Sequence, residues 1–315
     1  MTNANKNKNN LTEYANKVAV ASDADVLLIN APIDRGLDDQ LINMVKKRRP
    51  RKNVFLILVT SGGDADAAYR IARCLQDSYE RYIAFISGYC KSAGTLCVLG
   101  AHEIVMSDAG ELGPLDVQFY KKDELWELSS GLVAAETLQV LQDQAFAMFE
   151  EYFLSIKMNS SNQITFKTAT EIAIKISVGL LEPLYRQIDP IQVGEMARSM
   201  KIATAYGKRL MVRSENFTEK TLETLRDTYP SHGFVIDKSE VETLFNNVRS
   251  PSEYEDNLRC ALGNLGYSPD RSMNLEFLSD EIKGDENGKA TESSKQNSIK
   301  KAKPEPNTSG DKKDS

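Results

Sequence analysis

Residues 88–95 read Gly-Tyr-Cys-Lys-Ser-Ala-Gly-Thr and follow an apolar run, Ile83 to Ile86, that is typical of a buried strand. Ser92 then opens a second apolar stretch, Ala93 to Ala101, which is long enough for a short helix. A serine on a tight turn between a strand and a helix has its hydroxyl lifted out of the packing, beside the amides of the first helical turn. The pattern therefore predicts that Ser92 is an exposed nucleophile.

A second junction of the same kind lies upstream. The apolar run Val54–Val59 ends in Thr60-Ser61-Gly62-Gly63, and an amphipathic helical pattern follows. Glycines at such a junction leave a backbone amide open to close approach by a ligand. A nucleophilic serine and a turn with bare amides are the minimum needed for acyl transfer, because the amides stabilise the oxyanion that forms.

Strand and helix patterns alternate along the first part of the chain. The connections between the strand patterns are too long for hairpins, which predicts an α/β fold with parallel strands. The strand patterns are Val26–Ile29, Val54–Val59, Ile83–Ile86 and Glu103–Met106, with helical spacing between Leu37 and Val45 and between Ala65 and Leu75. Farther on, helical patterns run near 124–158 and 169–208, and a short helix is expected at Ser239–Phe245.

Several motifs resemble those of one superfamily. Ser61-Gly62-Gly63, Ser92-Ala93-Gly94 and Leu112-Gly113-Pro114-Leu115-Asp116 are similar to motifs of the Clp-protease/crotonase superfamily. Gln187–Pro190 and Tyr229–Asp237 resemble its serine dehydrogenase proteinase family in particular, and the resemblance covers roughly residues 25 to 245. It implies a Clp/crotonase-like spiral of ββα units with added C-terminal helices. It also implies a serine peptidase or amidase that works through an acyl-enzyme.

His232 is the candidate general base. It lies in Pro-Ser-His-Gly, within the most family-like stretch, whereas the other histidine, His102, occupies a position that the superfamily uses structurally. A histidine base needs a carboxylate to fix its tautomer. The resemblance favours Asp116, which gives the order Ser, Asp, His, and leaves Asp189 as the alternate. The local pattern at Asp189 is also that of a helix N-cap before Pro190.

The resemblance further implies an oxyanion hole built from the amides of Gly63 and Ala93, with Gly62 as the alternate donor. These glycines also fit a plain turn between a strand and a helix. Their appearance together with Ser-Ala-Gly favours the functional interpretation.

A lysine base is the rival to His232, because signal-peptide peptidases of the same superfamily use a serine–lysine dyad. Lys91 adjoins the serine, but neighbouring side chains on a tight turn diverge. Lys157 and Lys167 lie in a plausible downstream range, and no sequence context marks either of them.

Composition excludes several other classes of protein. The net charge of −6 gives no indication of nucleic-acid binding. The four cysteines form no Cys-x-x-Cys, and only two histidines are present, so neither a zinc site nor another cofactor is expected. No apolar run is long enough for a signal peptide or a membrane span. These features predict a cytoplasmic protein with reduced thiols.

The predicted domain organisation has three parts. Residues 1–22 are rich in Asn and Lys and are expected to be disordered, residues 23–280 form the catalytic domain, and residues 281–315 form a disordered polar tail. The expected partners are a peptide or protein substrate and further copies of the chain. The resemblance makes Leu132–Ile156 a candidate interface between copies, and an intramolecular helical hairpin fits this stretch equally well. The sequence has no nucleotide-binding signature, so an ATPase, if one is required, is a separate protein.

Two other functions fit the same fold. A crotonase-like acyl-CoA enzyme shares the two-amide hole but needs no nucleophilic serine, so the Ser-Ala-Gly motif favours the peptidase. An inactive oligomeric scaffold of the same fold retains the residues without turnover. An activity probe that reacts with an activated serine separates these possibilities from a peptidase.

Overall fold

The computed structural model describes residues 3–115, 118–120, 128–161, 163–270 and 272–281. In these ranges the helices are α1 (Asn3–Ser22), α2 (Arg35–Lys47), α3 (Ala65–Ser78), α4 (Ala93–Val98), α5 (Gly131–Asn159), α6 (Phe166–Tyr185), α7 (Pro190–Ser214), α8 (Glu219–Asp227), α9 (Lys238–Leu244) and α10 (Glu253–Leu262). The strands are β1 (Ala24–Asn30), β2 (Asn53–Val59), β3 (Arg81–Ile86), β4 (Tyr89–Cys90), β5 (Glu103–Met106), β6 (Glu111–Leu112), β7 (Gln118–Tyr120), β8 (Leu128–Ser130), β9 (Val248–Arg249) and β10 (Asn274–Phe277).

The main sheet has the strand order β10-β1-β2-β3-β5-β9. All neighbouring pairs are parallel except β1 and β10, which are antiparallel. Every residue of β1 and β2 is buried. Such continuous apolar strands are typical of a parallel sheet that is covered on both faces. The α/β fold class and the four strand patterns predicted from the sequence are therefore confirmed.

Two layers of helices cover the sheet. One face of β1, β2 and β3 presents Leu27, Leu56 and Ala84 to the apolar sides of α2 and α3. The other face presents Val26, Phe55 and Phe85 to α1 and α10. This alternation follows from the two-residue period of a strand, which sends successive side chains to opposite faces.

The helices that follow β1 and β2 start at aspartate caps. The carboxylate of Asp34 accepts from the N–H groups of Gly36 and Leu37, both at 2.8 Å. The carboxylate of Asp64 accepts from the N–H groups of Asp66 and Ala67 at 2.7 and 3.1 Å. Each cap satisfies two of the N–H groups that lack a partner at a helix start. Asp64 directly follows Gly63, so the glycine turn leads immediately into α3.

A second, shorter ladder lies beyond the carboxyl ends of the main strands. It consists of parallel contacts between Ile33 and Gly63, between Thr60 and Cys90, and between β4 and β6, followed by an antiparallel contact between Leu112 and Ile236. Strands β1, β2 and β3 are each followed by a short extended segment in this ladder and then by a helix. This is the repeating unit expected of the ββα spiral.

The structure differs from the sequence expectation at the N-terminus. Residues 1–22 are predicted to be disordered, yet Asn3–Ser22 forms α1, with Ala15, Val18 and Ala19 buried against the sheet and α10. Leu11, Ala15, Val18 and Ser22 recur at helical spacing, and a docked helix needs only this narrow stripe. The predicted tail 281–315 lies outside the described residues except for Glu281.

Three long helices follow β8. The predicted helical segments near 124–158 and 169–208 correspond to α5, α6 and α7, but the prediction is wrong at Leu128–Ser130, which pairs with β7 as strand β8, and residues 121–127 lie outside the described part of the chain. The rings of Phe149, Phe153 and Phe166 pack between α5 and α6, with neighbouring centroids 6.1 and 5.8 Å apart. Many other apolar side chains of these two helices are exposed, which leaves a broad apolar surface.

His102 has a structural position at the start of β5. Its Nδ1 accepts a hydrogen bond from the backbone N–H of Tyr82, at 3.0 Å, on the neighbouring strand β3. A nitrogen that accepts a hydrogen bond must be unprotonated. Burial also lowers the pKa of His102 below its ordinary value.

This arrangement predicts a pH-dependent stability. Because the pKa of His102 is lower in the folded chain than in the unfolded chain, its contribution is complete above roughly pH 6.5 and is lost as the pH falls towards the folded-state value. The melting temperature should therefore drop between about pH 7.5 and about pH 5.5. Thermal unfolding followed by circular dichroism measures this drop.

A His102→Gln variant keeps an acceptor for Tyr82 but cannot titrate, so its drop should be smaller than that of the wild type. Equal drops in the wild type and His102→Gln would contradict the assignment.

Candidate active site

Ser92 lies on a strained turn between β4 and α4. Its backbone φ is +54° and its ψ is −115°, values that an L-residue with a side chain rarely adopts. The turn is held on both sides by backbone hydrogen bonds. The N–H of Thr60 donates to Tyr89 at 2.9 Å, the N–H of Lys91 donates to Thr60 at 3.1 Å, and the N–H of Gly94 donates to Lys91 at 2.8 Å. The local structure is the strand–turn–helix arrangement predicted from the sequence, with the strain expected of a nucleophile elbow.

The glycine turn after β2 lies directly against Ser92. Gly62 and Gly63 have φ angles of +107° and +143°. A Cβ atom on Gly62 would lie 2.8 Å from the Cβ of Ser92 and 3.3 Å from its Oγ, and one on Gly63 would lie 2.1 Å from the carbonyl oxygen of Ile33. Both positions therefore require glycine, and the requirement at Gly62 comes from the serine itself.

The two glycine amides differ in availability. The N–H of Gly62 donates to the hydroxyl of Thr60 at 3.1 Å. The N–H groups of Gly63 and Ala93 have no acceptor among the residues that the structure describes. The geometry therefore favours Gly63 over Gly62 as an oxyanion donor beside Ala93.

The His232 loop is fastened to the elbow region. The N–H of Phe234 donates to Ser231 at 3.0 Å, and Ile236 and Leu112 exchange two backbone hydrogen bonds, each of 3.0 Å. The Nζ of Lys91, the residue before Ser92, donates to the carbonyl oxygen of Phe234 at 3.1 Å. The structure thus brings the half-buried His232 into the region of the elbow. Its role as a base stays a prediction.

The two candidate carboxylates have different positions. Asp116 lies outside the described residues, but the segment before it packs on α4, where the hydroxyl of Thr95 donates to the carbonyl oxygen of Gly113 at 2.7 Å. Asp189 is exposed and caps α7, because its carboxylate accepts from the N–H of Ile191 at 2.9 Å. Asp189 thus has the N-cap position that its sequence context indicates. The choice of catalytic carboxylate stays a prediction.

Two of the three candidate lysines, Lys91 and Lys157, donate hydrogen bonds to backbone or carboxylate oxygens. Lys91 is buried and donates to three oxygens. Lys157, near the end of α5, donates to the carbonyl oxygen of Ile164 at 2.7 Å, just before α6 begins. Lys167 is exposed at the start of α6. This geometry favours the histidine over a lysine as the base.

The cysteines near the site belong to the core. Cys90 and Cys97 are fully buried. Burial raises the pKa of Cys90 well above its ordinary value and raises that of Cys97 to about 12. Both groups therefore remain thiols, which are poor nucleophiles. In the described residues no three His, Cys, Asp or Glu side chains group as they would around a metal ion.

Sequence reasoning missed the role of Lys91 and Glu111. Lys91 was weighed only as a base, whereas its head group turns inwards to Glu111 and two backbone oxygens. The sequence does contain an indication of this contact: Lys91 is the one charged residue in the stretch 88–95, directly before Ser92.

The fold and the site define an α/β protein with a strained serine elbow beside a two-glycine turn. Residues 31–137 match the model of a family described as ClpP-like SDH-type serine proteinase. This segment contains β2, β3, the glycine turn and the elbow. The match confirms the family resemblance and the fold class predicted from the sequence.

Two curated relatives are uncharacterized proteins of Methanocaldococcus jannaschii. MJ0137 is 31% identical over 80 residues, which is 25% of this chain and 28% of that protein. MJ1495 is 26% identical over 155 residues, which is 45% of this chain and 50% of that protein. The chain thus spans half or less of the length of these relatives.

Two solved structures are similar in part. A mutant of the 1510-N membrane-bound stomatin-specific protease aligns with a TM-score of 0.42 and 13% identity, covering 82% of this chain and 97% of that chain. A second mutant of that protease, in complex with a substrate peptide, gives a TM-score of 0.28 and 18% identity over 73% of this chain and 93% of that chain. Both TM-scores are low, so the resemblance to the family rests on the sequence match of residues 31–137. In the described part of this chain, no helix combines the length and apolar character needed to cross a membrane.

The strain at Ser92 predicts an unusual order of stability. At an ordinary helical position a protein with Ala is more stable than one with Gly. At Ser92, where φ is +54°, a Cβ atom is instead unfavourable. Ser92→Gly should therefore be more stable than Ser92→Ala, by about 1 kcal/mol. Urea unfolding of the two variants measures this difference.

The matched control is Glu223, an exposed residue inside α8. There the order should reverse, with Glu223→Ala more stable than Glu223→Gly. The same order at both positions would contradict the strained conformation of Ser92.

Proposed function

We propose that the chain is a serine peptidase or amidase that forms an acyl-enzyme on Ser92. The observation that carries this proposal is the strained φ of Ser92 directly against the Gly62–Gly63 turn. Strain of this kind persists only where the surrounding structure enforces it, and it concentrates at functional sites. The match of residues 31–137 to a family of serine proteinases supports the same reaction class.

In the proposed reaction, the Oγ of Ser92 attacks the carbonyl carbon of an amide, and His232 accepts the hydroxyl proton. The carbonyl oxygen becomes an oxyanion, which receives hydrogen bonds from the amides of Gly63 and Ala93. His232 then donates the proton to the leaving amine as the C–N bond breaks. Water, deprotonated by His232, hydrolyses the acyl-enzyme and restores Ser92.

Asp116 is the proposed carboxylate partner of His232. The support is its place in the chain, directly after the segment that packs on α4. Asp189 is the alternate, and its cap on α7 gives it a structural task instead. A carboxylate that accepts a hydrogen bond from the imidazole of His232 would fix its tautomer and stabilise the imidazolium that forms.

The strain at Ser92 also favours this reaction over an acyl-CoA reaction. A crotonase-like enzyme needs the two amides but not a serine hydroxyl that projects from a turn. An inactive scaffold needs neither the two amides nor the projecting hydroxyl. It can nevertheless retain both without turnover, so only a chemical probe separates a scaffold from an enzyme.

A fluorophosphonate probe tests the proposed nucleophile. The wild-type chain should be labelled, because the probe reacts with an activated serine, and Ser92→Ala should not be labelled although its circular dichroism is unchanged. Ser61→Ala is the matched control, since it removes a neighbouring hydroxyl and should keep labelling. Full labelling of a folded Ser92→Ala variant would refute the proposal.

The same probe tests the base and its partner. The labelling rate should rise with pH as the imidazole loses its proton, because the base must be neutral. Asp116→Asn should lower the rate by about 10⁴-fold, whereas Asp189→Asn should leave both the rate and the stability nearly unchanged, because Asn caps a helix about as well as Asp does. A rate that rises only above roughly pH 8.5 would indicate a lysine base instead. The opposite ranking of the two aspartates would refute Asp116.

We also propose that the chain assembles with further copies of itself through α5 and α6. The described side chains of these helices leave Phe146, Met158 and Phe166 exposed by 70%, 76% and 69%. Exposed apolar surface of this extent on neighbouring helices is typical of an interface. Closed symmetry is the usual form of such assemblies.

Light scattering tests the assembly. The mass should be a multiple of the 35.1 kDa of one chain. Phe146→Glu combined with Phe166→Glu should lower it, because both charges would be buried in the interface. Val20→Glu, at an exposed apolar residue of α1, is the matched control and should leave the mass unchanged. A wild-type mass of one chain at micromolar concentration would overturn the proposal.

A further inference from the structure

Lys91 is a buried charge that the proposed reaction does not use. Its side chain is 1% exposed, although it immediately precedes Ser92. A buried ammonium group is unfavourable unless its protons all have acceptors. Here the Nζ donates to the carboxylate of Glu111 at 3.0 Å, to the carbonyl oxygen of Leu112 at 2.9 Å and to that of Phe234 at 3.1 Å.

The three acceptors come from two separate segments of the chain. Glu111 and Leu112 form β6, which leads directly into the segment before Asp116. Phe234 lies two residues after His232. Lys91 itself precedes the nucleophile. The ammonium group therefore links a segment next to His232 and a segment that precedes Asp116 in the chain to the residue before Ser92.

The same contacts are inconsistent with Lys91 as a base. A lysine has three N–H donors and no acceptor when it is charged. All three donors of Lys91 are directed at oxygens of β6 and the His232 loop. A base would instead need a neutral nitrogen with its lone pair directed at the hydroxyl of Ser92.

We propose that Lys91 is a positioning residue: its ammonium group ties the His232 loop and β6 to the serine elbow and so sets the distance between Ser92 and His232. This inference rests on the proposed acyl-enzyme function. It adds a residue that acts through others and takes no part in proton transfer. It also gives the strained turn of Ser92 an anchor in the adjoining residue.

The test uses Lys91→Met, which keeps the aliphatic stem and removes the ammonium group. Fluorophosphonate labelling of the full chain gives the probe affinity and the maximal rate separately, over a range of pH. A misplacement of about 1 Å between reacting groups lowers a rate by about 100-fold. We expect a loss of about this size in the maximal rate, with the probe affinity and the pH of the inflection unchanged.

Lys208→Met is the matched control. Lys208 is a half-exposed lysine of α7 that pairs with Glu219 at 3.1 Å. Its replacement should leave the labelling rate unchanged. Hydrogen exchange provides a readout independent of activity, because release of the loop should speed exchange at the amides of Phe234 and Ile236 in Lys91→Met and leave α3 unaffected.

The outcomes are distinct. A folded Lys91→Met variant with the wild-type maximal rate would overturn the positioning role alone. Loss of the pH inflection in Lys91→Met would also overturn the positioning role, because Lys91 would then take part in proton transfer. A lower rate without faster hydrogen exchange in the His232 loop would overturn it too, because Lys91 would then not be holding that loop. A wild-type chain that the probe does not label would overturn the proposed function and this inference together.

Glu111→Gln decides the question if Lys91→Met does not fold. Glu111 is 24% exposed, so the amide is tolerated, and the two backbone acceptors of Lys91 remain. The maximal rate should then fall by about tenfold, a smaller loss than for removal of the whole ammonium group. A wild-type rate in folded Glu111→Gln, together with wild-type exchange at Phe234, would overturn the proposal.

Discussion

The close contact between Gly62 and Ser92 is the constraint on which the rest of the site depends. No side chain fits between the two turns, since a Cβ on Gly62 would lie 2.8 Å from that of the serine. The contact requires β2 and β3 to end at the same level, which their parallel register provides. It also requires the short ladder from Thr60 to Cys90, which keeps the two turns side by side. The proposed oxyanion donors and the proposed nucleophile are thus products of a single backbone arrangement.

The short ladder also explains how residues far apart in the sequence share one region. Cys90 pairs with Leu112 through β4 and β6, and Leu112 pairs with Ile236. Each step adds one segment that carries a proposed functional group. Because the bonds are made by the backbone, the order of the functional groups along the chain is free to vary. An order of Ser, Asp, His is therefore as compatible with this ladder as other orders, and side chains such as Lys91 refine the distances.

The sequence was sufficient to predict β1, β2, β3 and β5, because their apolar runs are continuous and their partners are other strands of the same kind. The elbow and the glycine turn were predicted as well, since small residues at strand ends have few other uses. By contrast, α1 was missed because only a narrow stripe of its residues is apolar. β10 was missed because an edge strand that pairs on one side needs no strong pattern. The inward direction of Lys91 depends on Glu111 and Phe234, which only the fold brings near.

The antiparallel strand β10 has a consequence for how the chain reaches its folded state. β1 is buried along its whole length and apolar from Val26 to Ile29, and β10 covers the backbone groups on the side that faces away from β2. During synthesis β1 emerges early, and the residues of β10 follow after nearly every other described element. Until then β1 is an open sheet edge, which is a template for pairing with another chain. Chain segments released before Asn274 would therefore be the species most prone to aggregate.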